Sequence, residues 1–211
     1  MNSSKSCIVS LLSETHSMYA THTCSKYILF TTRTKKHISE DLDTFIKTLI
    51  SKYSKQEFYT CTDEDKAVLS KMGQSRMYYT TPMCSGKCII ASICALNYIR
   101  SNPLLGYEPF GIIVGFSGEP LTGYTRVPDA PHTLALFYNK AHQEYVAIDL
   151  TMIITTKKAH VFAAKYMDTL LRLVTIRYGV YQDDIPWKYL TIEAEKNIYS
   201  VYSNIVHKTM Q

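Results

Sequence analysis

The chain has 211 residues, of which 46% are hydrophobic and 19% charged, and its formal net charge is +5. This composition excludes an intrinsically disordered protein and predicts one globular domain with a substantial core. The sequence has no apolar run of about 18 residues, so we expect no transmembrane helix. A short apolar stretch at residues 7–12 lacks the features of a signal peptide, which favours a cytoplasmic protein.

The cysteines and the basic residues narrow the classes of function. We expect reduced thiols rather than disulfides for the six cysteines, which are Cys7, Cys24, Cys61, Cys84, Cys88 and Cys94. Cys84 and Cys88 are spaced like half of a zinc site, but no second tight pair of cysteines or histidines supports one, so we expect no metal and no cofactor. The scattered lysines and arginines indicate a solvated surface or an acidic partner, and no nucleic-acid motif is present.

The first predicted elements are an N-terminal extension and two helices. Residues 1–38 are polar and weakly periodic, apart from a candidate strand at 27–30. Ser39 precedes acidic residues, as at a helix start, and apolar residues then recur at helical spacing over about 40–53. A second helix is predicted over 64–72. The apolar face of the first helix is expected to pack on the core, and it comprises Leu42, Phe45, Ile46 and Leu49.

The middle of the chain contains a predicted helix and strands. A helix from Cys88 to about Arg100 is apolar on nearly every side, which is typical of a central, buried helix. Residues 110–116 form an apolar run that predicts a strand, and a loop with three prolines follows. Two further strands, 132–138 and 144–150, are joined as a hairpin.

The C-terminal part is predicted as a helix over 157–175, a strand near 176–181 and a short helix over 194–206. Helices followed by an antiparallel sheet predict an α+β fold. We expect a single domain over 39–211, with a helical subregion at 39–80 and a catalytic core at 81–211.

Three residues in this pattern point to thiol chemistry. Cys88 begins a helix, and the N-terminus of a helix favours a thiolate over a thiol. His132 begins a strand, and Asp149 ends the partner strand of the same hairpin, so the carboxylate can reach the imidazole. A nucleophile, a base and a group that orients the base are the requirements of a thiol enzyme with a papain-like or transglutaminase-like layout. The Cys88 amide is a candidate donor to the oxyanion.

Each of these residues also has a structural interpretation. Cys88 has the properties of an ordinary core cysteine, His132 those of a residue that caps a strand, and Asp149 those of a turn residue. Cys84 and Cys94 compete with Cys88 for the role of nucleophile. Cys94 lies in the middle of the apolar helix, where an inert thiol is expected, and Cys84 lacks the support of a helix end.

The order of several short motifs resembles the vasohibin family. Lys87 and Cys88 begin the helix, residues 98–105 follow as Tyr-Ile-Arg-Ser-Asn-Pro-Leu-Leu, and Pro109-Phe110 and Phe116-Ser117-Gly118 precede His132. Upstream, Tyr53 and the segment Glu57-Phe58-Tyr59 match the tyrosine and the aromatic pair of the family, and Trp187-Lys188 matches a late strand. The resemblance covers roughly residues 40–195 and is most marked over 87–118.

The resemblance implies a fold, an activity and site residues. Vasohibins have a transglutaminase-like cysteine protease fold, with a central nucleophile helix packed on an antiparallel sheet, and they remove the C-terminal tyrosine of α-tubulin. By this resemblance Cys88 is the nucleophile and His132 the base, whereas Lys87 and Tyr53 bind substrate. It also implies the α-tubulin tail or microtubules as partner, a small helical binding protein on the N-terminal helices and a location at the cytoskeleton.

The chain departs from the family at the positions that handle the substrate's carboxylate. Asp149 stands where the family has a serine as its third catalytic member, which makes the triad Cys-His-Asp. Leu150 stands where the family has an arginine that holds the terminal carboxylate, and Thr62-Asp63 replaces a basic pair. A C-terminal carboxylate needs a cation, for which Arg126, Lys157 and Lys158 are the candidates.

Three functions therefore follow as hypotheses. The first is a vasohibin-like thiol carboxypeptidase that acts on the tubulin tail or another acidic C-terminal peptide. The second is a transglutaminase-like thiol hydrolase or acyltransferase with another substrate. The third is a microtubule- or peptide-binding module that has kept the fold without catalysis.

Overall fold

The fold was examined in a computed structural model of the whole chain. The structure describes residues 20–32, 39–55, 88–115, 132–179 and 187–191. The helices predicted over 64–72 and 194–206, the loop over 117–131, and residues Lys87 and Arg126 lie outside the described residues.

The first helix, α1 (Glu40–Ser54), forms as the sequence predicts. Ser39 caps it, because the Ser39 hydroxyl accepts a 3.2 Å hydrogen bond from the Leu42 amide. All four apolar residues of the predicted face are at most 1% exposed and belong to the core. This face therefore packs on the core, and a helical partner of the N-terminal helices stays a prediction.

A seven-stranded sheet forms the centre of the fold, in the order β1-β2-β6-β5-β4-β3-β7. Neighbouring strands are antiparallel, except that β2 and β6 run parallel. The strands are β1 (Ala20–Thr23), β2 (Tyr27–Thr31), β3 (Tyr107–Gly115), β4 (His132–Asn139), β5 (Glu144–Asp149), β6 (Ala159–Ala164) and β7 (Lys188–Thr191). The first two strands come from residues 20–31, so part of the predicted N-terminal extension belongs to the sheet.

Helices cover both faces of the sheet. Helix α2 (Cys88–Ser101) packs on β3 and β4 on one face and contacts α1. After a short helix, α3 (Met152–Thr156), helix α4 (Met167–Tyr178) packs on β6 and β5 on the other face. Apolar side chains of successive strand residues therefore enter two different core clusters. The α+β fold class is confirmed, and within the described residues no helix is long and apolar enough to cross a membrane.

Two predictions near the C-terminus were wrong. Residues 159–164, predicted as part of a helix, form β6, and residues 176–178, predicted as a strand, form the last turn of α4. Strand β6 lies between β2 and β5 and is buried on both faces, so it is apolar throughout and lacks the alternation that marks a half-buried strand. Its three alanines have a high intrinsic helix propensity, so the neighbouring residues alone favour a helix.

Candidate active site

Cys88, His132 and Asp149 meet at one end of the sheet. Cys88 is the first residue of α2, His132 is the first of β4, and Asp149 is the last of β5. Because β4 and β5 are antiparallel neighbours, the start of one strand lies beside the end of the other. The predicted proximity of the three residues is therefore present in the fold.

The distances within this group are those of direct interactions. His132 Nε2 lies 2.5 Å from Asp149 Oδ2, and the two side chains are 8% and 1% exposed. The Cys88 side chain interacts with the same imidazole and is one of the groups that raise the pKa of His132. Since Nε2 is occupied by Asp149, Nδ1 is the ring nitrogen left for the sulfur. The imidazole thus lies between a carboxylate and a thiol, the order that a nucleophile, base and orienting group require.

The Asp149 carboxylate accepts four hydrogen bonds. Oδ2 faces His132 and accepts a 2.6 Å bond from the Tyr178 hydroxyl. Oδ1 accepts 3.1 Å and 2.6 Å bonds from the amide and the hydroxyl of Thr151. An ionised carboxylate offers about four acceptor positions, so this group is fully satisfied although it is buried.

The buried pair favours charges on both partners. Burial by itself raises the pKa of Asp149, but the neighbouring His132 and the hydrogen bonds from Thr151 and Tyr178 offset this and lower it to about 2. Burial alone lowers the pKa of His132, but the Asp149 carboxylate and the Cys88 sulfur raise it above its ordinary value. Both shifts favour an imidazolium beside an ionised carboxylate.

Two further side chains extend the group beyond Asp149. Tyr178, at the end of α4, is fully buried, and its hydroxyl lies 3.1 Å from His160 Nδ1. Burial and the Asp149 charge raise the pKa of Tyr178, which keeps its proton on the phenol. Burial lowers the pKa of His160 to about 4, so its imidazole is neutral. Because the phenol donates its one proton to Asp149, His160 donates from Nδ1 to the Tyr178 oxygen.

Trp187 packs against the His132 ring and against Tyr178. The centroids of the His132 and Trp187 rings are 6.3 Å apart and the planes perpendicular, and the indole Nε1 donates a 2.8 Å bond to the Gly179 carbonyl. Gly115, the β3 partner of His132, makes room for this indole, because a Cβ there would lie 2.6 Å from Trp187 Cδ2. The position of the imidazole thus depends on a glycine in the neighbouring strand.

The change Gly115→Ala is expected to lower the free energy of unfolding by about 1–3 kcal/mol, because the added methyl group forces the indole away from the sheet. Chemical denaturation of the single variant, of Trp187→Phe and of the double variant measures this effect. The smaller phenyl ring should reduce the cost of the alanine. An equal cost in both backgrounds would contradict the contact between Gly115 and Trp187.

Of the residues predicted to bind substrate, the structure describes Tyr53, whereas Lys87 and Arg126 lie outside the described residues. Tyr53 is fully buried in the core, which gives its role in substrate binding no support, and that role stays a prediction. Leu150 is 2% exposed and belongs to the same core cluster, so its position does not offer a surface for a carboxylate. Lys157 and Lys158 directly precede β6, whose residue His160 pairs with Asp149 in the sheet register. Their backbone therefore lies at the same end of the sheet as the candidate site.

Sequence reasoning missed Thr151, His160 and Tyr178. The spacing Asp149-x-Thr151 is a signal that a carboxylate bonds the backbone two residues on, and it was available in the sequence. No such signal existed for His160 and Tyr178, because their contact depends on the packing of α4 against β6.

Comparisons with known proteins add no relative. No family model, no curated protein and no solved structure matches this chain. Among the described residues, no group of three or more histidine, cysteine or acidic side chains is arranged to hold a metal ion.

Proposed function

We propose that this protein is a thiol hydrolase of the vasohibin type, with Cys88 as nucleophile, His132 as general acid and base, and Asp149 as the residue that orients His132. The observation that carries the proposal is the buried His132–Asp149 pair at 2.5 Å with the Cys88 sulfur at the same imidazole. A transglutaminase-like architecture is part of this proposal, and the α+β fold with its cysteine at the start of a central helix supports it.

The reaction follows from the order of these three groups. The Cys88 thiolate attacks the carbonyl carbon of the scissile amide, which forms a C–S bond and a tetrahedral oxyanion. The Cys88 amide is a candidate donor to that oxyanion, because the first amides of a helix have no partner within the helix. The His132 imidazolium gives its proton to the departing nitrogen, the C–N bond breaks, and a thioester remains.

Hydrolysis of the thioester completes the cycle. His132, now neutral, accepts a proton from water, and the resulting hydroxide adds to the thioester carbonyl. The C–S bond then breaks, which releases a carboxylate product and restores the Cys88 thiolate beside the imidazolium. Asp149 keeps its charge throughout, and it stabilises the imidazolium form of His132.

The first substrate to consider is the C-terminal tail of α-tubulin. The vasohibin-like order of motifs and the net charge of +5 support an acidic peptide of this kind. Lys157 and Lys158 provide cations at the correct end of the sheet, and they are the described candidates to bind a terminal carboxylate in place of the family's arginine.

The proposed activity is tested with polymerised tubulin incubated with the wild-type protein or with Cys88→Ala, followed by a blot for the terminal tyrosine. We expect loss of tyrosine with the wild type and full retention with the variant. Equal retention in both would remove the tubulin tail as substrate, while equal loss in both would remove Cys88 as nucleophile.

A second candidate function is a thiol hydrolase or acyltransferase that acts on another acyl group. The burial of Leu150 favours it, because the residue that aligns with the carboxylate-binding arginine is inside the core. A thiol-directed acyl probe that labels Cys88 in a protein inactive on tubulin would select this function. No selective labelling of Cys88 would favour the non-catalytic binding module.

A further inference from the structure

The oxygen of Asp149 that faces His132 has a second partner. Oδ2 lies 2.5 Å from His132 Nε2, and it accepts a 2.6 Å hydrogen bond from Tyr178. The phenol reaches this oxygen from α4, whereas His132 approaches from β4. Two donors on different elements thus determine where one carboxylate oxygen lies.

The Tyr178 hydroxyl is itself held in place. His160 Nδ1 lies 3.1 Å from that hydroxyl, and the two rings stack at an angle of 26° with centroids 5.8 Å apart. His160 is 1% exposed, and Phe30 of β2 packs edge-on against its ring. The phenol is therefore held between the Asp149 carboxylate and the His160 ring.

We propose that Tyr178, supported by His160, is a positioning residue that orients Asp149 toward His132 and so maintains the contact between His132 and Cys88. This inference rests on the proposed thiol chemistry, and it adds two residues to the three that the proposed reaction uses. A hydrogen bond to a charged group is stronger than one between two neutral groups. Its loss should allow the carboxylate to turn away from Nε2 and weaken the imidazolium.

The charged and titratable groups around the carboxylate come from four elements. They are His132 of β4, His160 of β6, Tyr178 and Arg177 of α4, and Cys88 of α2. The Arg177 guanidinium lies 5.4 Å from the centroid of the Tyr178 ring, and it lowers the pKa of His160 and opposes the rise in the pKa of Tyr178. Tyr178→Phe removes the hydroxyl that bonds Asp149 and keeps the ring that packs edge-on against His132, with centroids 5.5 Å apart, so it tests the hydrogen bond separately from the packing.

The test is the rate at which iodoacetamide alkylates Cys88 in wild type and Tyr178→Phe, measured by peptide mass spectrometry from pH 5 to 9. We expect alkylation to be about 3–10-fold slower at pH 6 in the variant, and the midpoint of its pH profile to rise by about half to one pH unit. His160→Gln, which keeps a donor, should resemble the wild type, whereas His160→Leu should resemble Tyr178→Phe.

Tyr27→Phe is the matched control, because it removes a 2.7 Å hydrogen bond from a tyrosine to Asp43 on the other face of the sheet. It should leave the Cys88 profile unchanged. A Tyr178→Phe profile identical to the wild type, even with a lower melting temperature, would reduce Tyr178 to a structural residue and overturn the inference. If Cys88 of the wild type reacts no faster than Cys24 at pH 6, the proposed function fails instead.

Discussion

Replacement of His132 by glutamine is expected to slow alkylation of Cys88 at pH 6 by about 10–100-fold and to lower turnover by about 10²–10⁴-fold. The reason is that a cysteine is alkylated as its thiolate. A cysteine without a cationic neighbour is only roughly 0.3% thiolate at pH 6, since its ordinary pKa is about 8.5. In this structure His132 lies beside Cys88 and is held by Asp149, so the replacement removes the group that can act as the cationic neighbour of the sulfur.

The measurement compares alkylation rates at pH 6 and pH 9, where the two proteins should converge because an ordinary thiol ionises there. His142→Gln is the matched control, because His142 also lies near a carboxylate, 3.3 Å from Asp41, but on the surface. It should react like the wild type. Fast alkylation of Cys88 at pH 6 in His132→Gln would show that the imidazole does not activate this sulfur.

Replacement of Asp149 by asparagine is expected to lower the free energy of unfolding by about 3 kcal/mol, because it removes the charge that a buried imidazolium requires. The shape of the side chain is retained, so the loss is electrostatic and leaves the packing in place. Turnover should fall by up to about 10⁴-fold, as expected when the group that orients a catalytic histidine is neutralised.

The stability difference between wild type and Asp149→Asn should depend on pH in a defined way. The pKa of Asp149 is lowered from 3.8 to about 2, so its contribution is present above pH 4 and is lost as the pH falls toward 2. The pKa of His132 is raised from 6.5 to about 10, so its contribution is complete below pH 6.5 and is lost as the pH rises through 10. The difference should therefore be largest between about pH 4 and 6.5.

Denaturation of both proteins across this range measures the difference. Asp41→Asn is the control, because its contact with His142 is exposed and surface pairs contribute little. A difference that stays constant from pH 3 to 10 would contradict the charged state of the pair.

Some of the fold could be read from local pattern. Helix α1 has a capping serine and a single apolar face, and the β4–β5 hairpin has two apolar runs around a short polar turn, so each was predicted within one or two residues. Strand β6 could not be predicted this way. Its alanines and its burial on both faces remove the period that separates a strand from a helix, and its parallel pairing with β2 is a contact between distant segments.

The residues of the candidate site fall into the same two groups, those predicted from local pattern and those placed by tertiary packing. The sequence by itself determined that Cys88 begins an apolar helix and that His132 begins and Asp149 ends one hairpin, which brings these two residues together at its open end. It could do so because a helix start and an antiparallel turn are local events. Only the tertiary structure decided that Tyr178 bonds Asp149 and that His160 lies beside the Tyr178 hydroxyl. The same is true of Trp187, which packs on His132 over Gly115. These contacts join α4, β6, β3 and the segment before β7, and they form because a buried carboxylate and a buried imidazole must find hydrogen-bond partners wherever the packed elements provide them.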